Sequence, residues 1–540
     1  MKASTIKAFT KVHTWTGLGT GMALFIAFYA GAMTVFFHEI SEWDDYHPEV
    51  EVYQDYEQAQ WLIEQVLEAD PGAADDFHLH LSESHGHGHE IFWFKQTDEG
   101  TFENYGYTLD DNDKLQDIEQ SNARLGRFLH QLHYNAGLPD SWGLYVLGIV
   151  ALIYALAMAT GLLIFIPGFF RDLLIIRPPK NLKRFWLDTH NVVGVISLPW
   201  HFMYAWSSVI LAIGIFLLAP FQFLVFDGNL LEIVSDDLGQ APPRPAANQP
   251  AAMLPVDNLI AMAKEQLPGL TPSELEYHHA GDENGTTLVS GTLEEGNTLT
   301  ANASVTVSTA TGELVSINDP REASAGSTMF FGLYALHFVS FGGYTAKWAY
   351  FFLGLAGAYL FYSGNLLWVE SRRKRRQTLQ RKDAVFLARL NSGVCIGCMA
   401  GVSAAFLTSR VTMELANRPE LTEYAYYAVF FAAIAWCFIR SVANGTRDVL
   451  YACAALTAAI PVVDAIGINR PIWSSVGDGE WPLVSVSILA LIGAIAFWRM
   501  GHGVHQRAIH GDPNSVWAAS KRAGAACVSE PDPQSGIQTV

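Results

Sequence analysis

The stretch His190-Asn-Val-Val-Gly194-Val-Ile-Ser-Leu-Pro199-Trp-His201-Phe-Met-Tyr-Ala-Trp-Ser-Ser-Val-Ile-Leu-Ala-Ile-Gly-Ile-Phe-Leu-Leu-Ala219 runs without a single Asp, Glu, Lys or Arg. At about 1.5 Å of rise per residue, roughly 20 such residues cross a hydrocarbon core, so 191–219 reads as a membrane-spanning helix. Seven more apolar stretches of this kind lie at 14–37, 141–167, 345–369, 391–409, 424–443, 449–468 and 481–500. The 540-residue chain is 50% hydrophobic and 16% charged, well under the roughly one-quarter charged residues of an ordinary soluble domain. A wholly soluble enzyme is thereby excluded.

The net charge of -20 is unevenly spread. Residues 39–124 hold 23 acids and 3 bases, and residues 222–324 hold 15 acids and 3 bases, leaving a basic, apolar remainder. A nucleic-acid partner is excluded, because no basic footprint accompanies the acidic segments. The basic residues fall in alternate loops: Lys2, Lys7 and Lys11; Arg171 to Arg184; Arg372 to Arg376 with Arg381, Lys382 and Arg389; Arg440 and Arg447; then Arg499, Arg507, Lys521 and Arg522. By the positive-inside rule both termini are expected in the cytoplasm and both acidic segments outside. The first span is expected to be a retained signal anchor, since it is long and lacks a clear cleavage site.

The external segments resemble one another. A helical run, Tyr56 to Ala69, ends at Pro71-Gly72 and precedes the strand-like Phe77-His-Leu-His-Leu81 and Ile91-Phe-Trp-Phe94. A second, Val256 to Leu267, ends at Pro268-Gly269 and precedes Leu288 to Leu293 and Ala303 to Ser308. Helix, Pro-Gly and a small antiparallel sheet are thus expected twice. The flanking spans repeat as well: His13-x-x-x-Gly17 and His190-x-x-x-Gly194 open the first and third, while Leu132-His133 and Leu336-His337 precede the second and fourth. The fold class expected is a polytopic α-helical membrane protein of about eight transmembrane helices, with two external α+β domains in a duplicated helix-domain-helix unit. Its parts are the first helix (1–38), external domain 1 (39–128), the second and third helices (129–220), external domain 2 (221–330), the fourth helix and its basic loop (331–376), an appended four-helix module (377–510) and a cytoplasmic tail (511–540).

Lys11-Val-His13-Thr-Trp15-Thr-Gly17-Leu, Leu129-His130-Gln-Leu132-His133-Tyr134, Trp186-Leu-Asp188-Thr-His190-Asn-Val-Val-Gly194 and Leu333-Tyr-Ala-Leu336-His337 resemble the motifs of the PepSY-associated transmembrane helix family over residues 1 to 376. The resemblance implies a bacterial inner-membrane protein with periplasmic PepSY-like domains. Some members are haem-containing reductases of ferric siderophores. The cytoplasmic flavin reductase of one family variant has no counterpart here, where the cytoplasmic loops are short and basic.

Five histidines carry the chemical expectation, because ionisable residues at or within a bilayer usually face the protein interior. His13 and His190 lie at the cytoplasmic ends of their spans, His133 and His337 at the external ends, and His201 deep in the third. Interfacial imidazoles bonded to water, headgroups or carbonyls are the bland alternative. Eleven residues separate His190 from His201, which on one continuous helix leaves a net rotation of about 20° and a rise of about 16 Å. The pair would then project from one face at two depths, as two stacked b haems require. The expected assignment is one haem b between His13 and His190 and a second held by two of His201, His133 and His337, with His130 a possible substitute for His133.

Other candidates are weaker. His85-Gly-His87-Gly-His89 could gather a transition metal or be a hairpin tip without a role. Asp464, near Pro461, is a candidate proton or quinone site, or a helix-cap or interface residue. Asp188 is expected as a helix N-cap. Cys395-Ile-Gly-Cys398 has redox spacing within a span but is expected to pack helices, and no cysteine lies in an external segment. Walker, dinucleotide, nucleophile-elbow and H-E-x-x-H patterns are lacking.

With two haems so placed, the resemblance implies electron transfer to an iron(III) complex, such as a ferric siderophore, at the external face. Quinol or a cytoplasmic reductase would be the electron donor, and membrane lipid the surrounding partner. A haem-free regulatory or assembly protein, and a metal- or proton-coupled transporter, are the alternatives.

Overall fold

A computed structural model of the chain describes residues 2–46, 56–81, 89–96, 102–110, 113–118, 123–168, 176–177, 181–228, 244–293, 299 and 302–519. In chain order the helices are α1 (Ala3–Thr34), α2 (Phe37–Asp44), α3 (Tyr56–Ala69), α4 (Leu125–Asn135), α5 (Asp140–Phe165), α6 (Leu182–Ile196), α7 (Leu198–Leu224), α8 (Val256–Gln266), α9 (Ala325–Phe338), α10 (Gly343–Ser371), α11 (Lys382–Val411), α12 (Arg418–Ile439), α13 (Val442–Gly467), α14 (Ile472–Asp478) and α15 (Trp481–His510). The strands are β1 (Asp76–His80), β2 (Glu90–Gln96), β3 (Phe102–Leu109), β4 (Leu115–Asp117), β5 (Leu270–His278), β6 (Thr286–Leu293), β7 (Asn302–Ser308) and β8 (Leu314–Asn318). They form two compact units. One, a helical bundle, comprises 1–44, 123–212 and 350–540, and the other, built around a sheet, comprises 45–122 and 213–349.

Seven helices among the described residues are long and apolar enough to cross a membrane, or eight if α6 and α7 count as one span. The protein is a polytopic helical membrane protein with a sheet-containing domain. The third span differs from expectation: α6 and α7 meet at Ser197 with a bend of 70°. Pro199 supplies the cause, since its ring nitrogen carries no hydrogen for the carbonyl of Val195 and its ring crowds that carbonyl. His190 and His201 therefore do not share one helix face. The equivalent α1 of the first repeat is unbroken.

Within the bundle, α1 packs on α4 and α5, and the appended helices pair as α11 with α12 and α13, and α13 with α15. Small residues set the approach where helices are closest. A Cβ at Gly354 of α10 would come 2.9 Å from the Cβ of Ala32 on α1. The repeat also appears in its helix ends: α4 and α9 each stop at a non-glycine residue in left-handed conformation, Ala136 (φ 52°) and Val339 (φ 57°), whose N–H bonds the carbonyl four residues back.

In the second unit the two small sheets are one. The strand order is β4-β3-β2-β1-β5-β6-β7-β8, all antiparallel, with β1 and β5 pairing at the centre. Each repeat contributes half, and its innermost strand pairs with its counterpart about a local two-fold, which removes two open edges. Alternation decides the faces. Phe77, Leu79, Leu275 and Tyr277 point into a core shared with Leu62 and Ile63 of α3 and Leu259 and Ile260 of α8. Phe77 and Tyr277 stack across the seam at 4.6 Å. Pro272, which cannot donate to a ladder, sits in β5 at a bulge. Opposite it stands Gly291, where a Cβ would collide with the carbonyl oxygen of Thr271.

Candidate functional site

Four of the five expected histidines lie in the bundle, each against a glycine of a neighbouring helix. His13 Nδ1 bonds the carbonyl of Ala157 on α5 at 2.8 Å, and a Cβ at Gly161 would come 2.9 Å from its ring. His190 Nδ1 bonds the carbonyl of Leu360 on α10 at 3.1 Å and lies 3.3 Å from Ser363 Oγ, with Gly364 as the close-packed residue. His133 Nδ1 bonds the carbonyl of Ala27 on α1 at 2.8 Å, and a Cβ at Gly31 would come 2.6 Å from that nitrogen. In all three cases the glycine follows the acceptor by four residues. That position lies beside the accepting carbonyl on the helix surface, so the missing side chain opens a carbonyl that already serves its own helix.

A carbonyl oxygen only accepts, so Nδ1 is the protonated nitrogen in these three rings. In His13 and His190 the neutral imidazole then presents the Nε2 lone pair, with the ring direction held from behind. This is the state a metal-ligating histidine needs, and a second-shell carbonyl is a usual device for enforcing it. His201 is held differently. It is almost fully buried, its Nδ1 meets the hydroxyl of Tyr154, and its Nε2 has no hydrogen-bond partner among the described residues. An orphaned buried ring nitrogen is costly unless something binds it.

The rings of His13 and His190 stand 6.3 Å apart between centres. Two imidazoles sharing one metal at about 2 Å per bond would have centres about 6 Å apart, so the spacing suits a common iron. His201 and His133 both meet α1, the first in ring contact with Phe28 at 5.6 Å and the second at the adjacent Ala27. His130 contacts Phe37 and Tyr134 rather than a backbone carbonyl in the described geometry. His337 lies on α9 in the other unit, beside Phe338. These neutral imidazoles, with glycines that let flat groups approach, fit haem b ligation.

Several expectations change. Asp188 is not an N-cap: α6 starts at Leu182 and is capped by Asn181, while buried Asp188 bonds Arg177 at 2.9 Å and lies 3.2 Å from Arg184. Asp464 is an interface residue, receiving Arg410 Nε at 2.8 Å and Trp43 Nε1 at 3.0 Å. The Arg410 guanidinium sits over the Trp43 indole, 4.1 Å from the ring centre, and also donates to the Trp43 carbonyl. Beside it Asp44 accepts from Arg418, Ser409 and the Leu125 N–H. This buried network fastens α11, α12 and α13 to α2 and α4. Its arginines were legible as two bases in a loop on the side otherwise marked by acids. Asp44 was hidden in the acidic run. Cys395 and Cys398 are free, buried packing residues of α11. His85 and His87 lie outside the described residues, and His89 is buried.

The spans and their histidine repeat define a multi-pass membrane protein with a duplicated core. The chain belongs to the PepSY-associated TM region family, whose pattern it matches over residues 10–371. It is also similar to an uncharacterised protein of Pseudomonas aeruginosa, at 25% identity over 247 residues, which are 44% of this chain and 61% of the relative's length.

Proposed function

We propose that the protein is a bacterial inner-membrane haem b electron-transfer protein that reduces an iron(III) complex, such as a ferric siderophore, at the periplasmic face. Both termini are cytoplasmic and the acidic sheet unit is periplasmic, in keeping with the alternation of basic loops. The observation that carries the proposal is the shared tautomer of His13, His133 and His190: each gives its Nδ1 proton to a carbonyl exposed by a glycine. His13 and His190 would hold one haem, and His201, with its buried unpartnered Nε2, would hold the other together with His133, which meets the same helix.

Bound haem supplies one-electron redox chemistry. Tyr154 fixes the His201 ring, and Ser363 with Leu360 fixes His190. The apolar helices around them exclude water and set a low dielectric. The periplasmic acids attract cationic complexes. One electron per iron, drawn from quinol or a cytoplasmic donor, converts iron(III) to iron(II), which hard oxygen ligands hold less firmly.

The test is the dithionite-reduced spectrum of the protein purified after expression with ample haem. Paired b-type bands are expected, with His190→Ala and His201→Ala each lowering haem content by about half. A colourless protein would overturn the proposal in favour of a haem-free regulatory or transport role. Oxidation of the prereduced protein by a ferric hydroxamate or catecholate then tests the substrate class.

A further inference from the structure

The face of the β1–β5 seam opposite the core carries no apolar residue at its paired positions. Asp76 pairs with His278, His78 with Glu276, and His80 with Glu274. Three imidazoles and three carboxylates therefore alternate across two central strands, half-buried apart from the more exposed Asp76. Alternation alone would put some polar residues here. It does not require that every one be a metal-ligand type.

Within this group a ligand oxygen of Asp76, a ring nitrogen of His78 and a ligand oxygen of Glu276 all lie within 4.8 Å of one another. The next shell is also built. Glu274 holds His78 Nδ1 at 2.8 Å, which leaves Nε2 as the nitrogen for a ligand, and lies 3.3 Å from His80 Nε2. His278 Nε2 lies 3.1 Å from Glu276. Phe92 of β2 flanks the set, stacked on His78 at 6.0 Å and edge-on to His80 at 4.3 Å, so one wall is apolar. A carboxylate behind a ligating histidine is the arrangement that orients the ring and raises its basicity.

We infer that Asp76, His78 and Glu276 form a binding site for a divalent first-row transition ion at the seam between the two repeats. One imidazole and two carboxylates suit ions that accept mixed nitrogen and oxygen ligands, such as zinc or iron(II), and the open side leaves room for water ligands. The site takes two ligands from the first repeat and one from the second, so the ion would also bridge the halves of the sheet. It is independent of the haem proposal.

Zinc alone serves as the probe, added to the full-length protein in detergent. The His85→Ser/His87→Ser background removes competition from the histidine-glycine tract. Isothermal titration is expected to show one zinc per chain, with affinity weakened at least tenfold by His78→Ala and by the near-isosteric Glu276→Gln. Zinc X-ray absorption of the same background, which needs no further variant to fold, is expected to show an oxygen-rich shell with one imidazole. Absence of the zinc in the His85→Ser/His87→Ser background, unchanged affinity in both site variants, or a shell of three or more imidazoles would overturn the inference.

Discussion

Single atoms decide the histidine sites. The carbonyls of Ala27, Ala157 and Leu360 are each followed four residues later by glycine, and each receives an imidazole. Restoring one Cβ closes that approach. Gly161→Ala is expected to push His13 aside, because its new methyl would sit 2.9 Å from the ring. Gly31→Ala should do the same to His133. Each variant is expected to fold and to lose or shift one b-type band set while leaving the other, as read by the reduced spectrum; two unaltered sets would show that the glycines are packing residues alone. The histidines were legible as repeated ionisable residues at span ends. Their glycines were not, because glycine is common in membrane helices and its meaning depends on which ring arrives opposite.

At the scale of elements, the sheet seam and the broken third span show how local pattern and packing divide the outcome. The strand period at Phe77 to Leu81 and the helical runs before each Pro-Gly were readable, and α3 and α8 form there. β5 was not anticipated, because Pro272 and three charged or ionisable residues interrupt its pattern; a bulge and the pairing with β1 make it a strand. Removing an aromatic from the seam should therefore loosen both halves. Phe77→Ala, which deletes the stack on Tyr277 and opens a cavity in the shared core, is expected to cost about 3–5 kcal/mol. Faster amide exchange in β1 and β5 together would confirm the joint core, whereas change limited to β1 and β2 would argue against it. The bend at Ser197 was readable only in part: Pro199 marked a weak point, but a proline near a helix start can be accommodated without bending. The bend turns His190 and His201 onto different faces, where one continuous helix would align them.

On the scale of the whole bundle, the appended helices are joined to the duplicated core by buried charge. Arg418 with Asp44 crosses from α12 to α2, while Arg410 with Asp464 ties α11 to α13 within the appended module and reaches α2 through Trp43; both pairs are almost wholly buried. A buried pair costs desolvation, and its removal as a unit can be neutral, while loss of one partner strands the other. Arg410→Met is thus expected to destabilise the protein by about 3–5 kcal/mol, read as a lower thermal unfolding midpoint in detergent. The double variant Arg410→Met/Asp464→Leu should recover much of that loss. Additive losses in the double variant would mean that the two residues act separately, not as a latch.

Composition and short-range pattern alone determined the membrane class, the number of spans to within one, the duplicated unit and the set of candidate histidines. Those properties depend on contiguous residues, since partition into a bilayer is set by roughly 20 neighbours and repeat motifs are read in place. Only the tertiary structure decided which carbonyl and which glycine each histidine meets, the fusion of two four-stranded halves into one sheet, the assembly of Asp76 and His78 with Glu276, and the pairing of Arg410 with Asp464. These depend on register between elements far apart in the chain, where hydrogen-bond direction and close packing select one partner among many that composition permits.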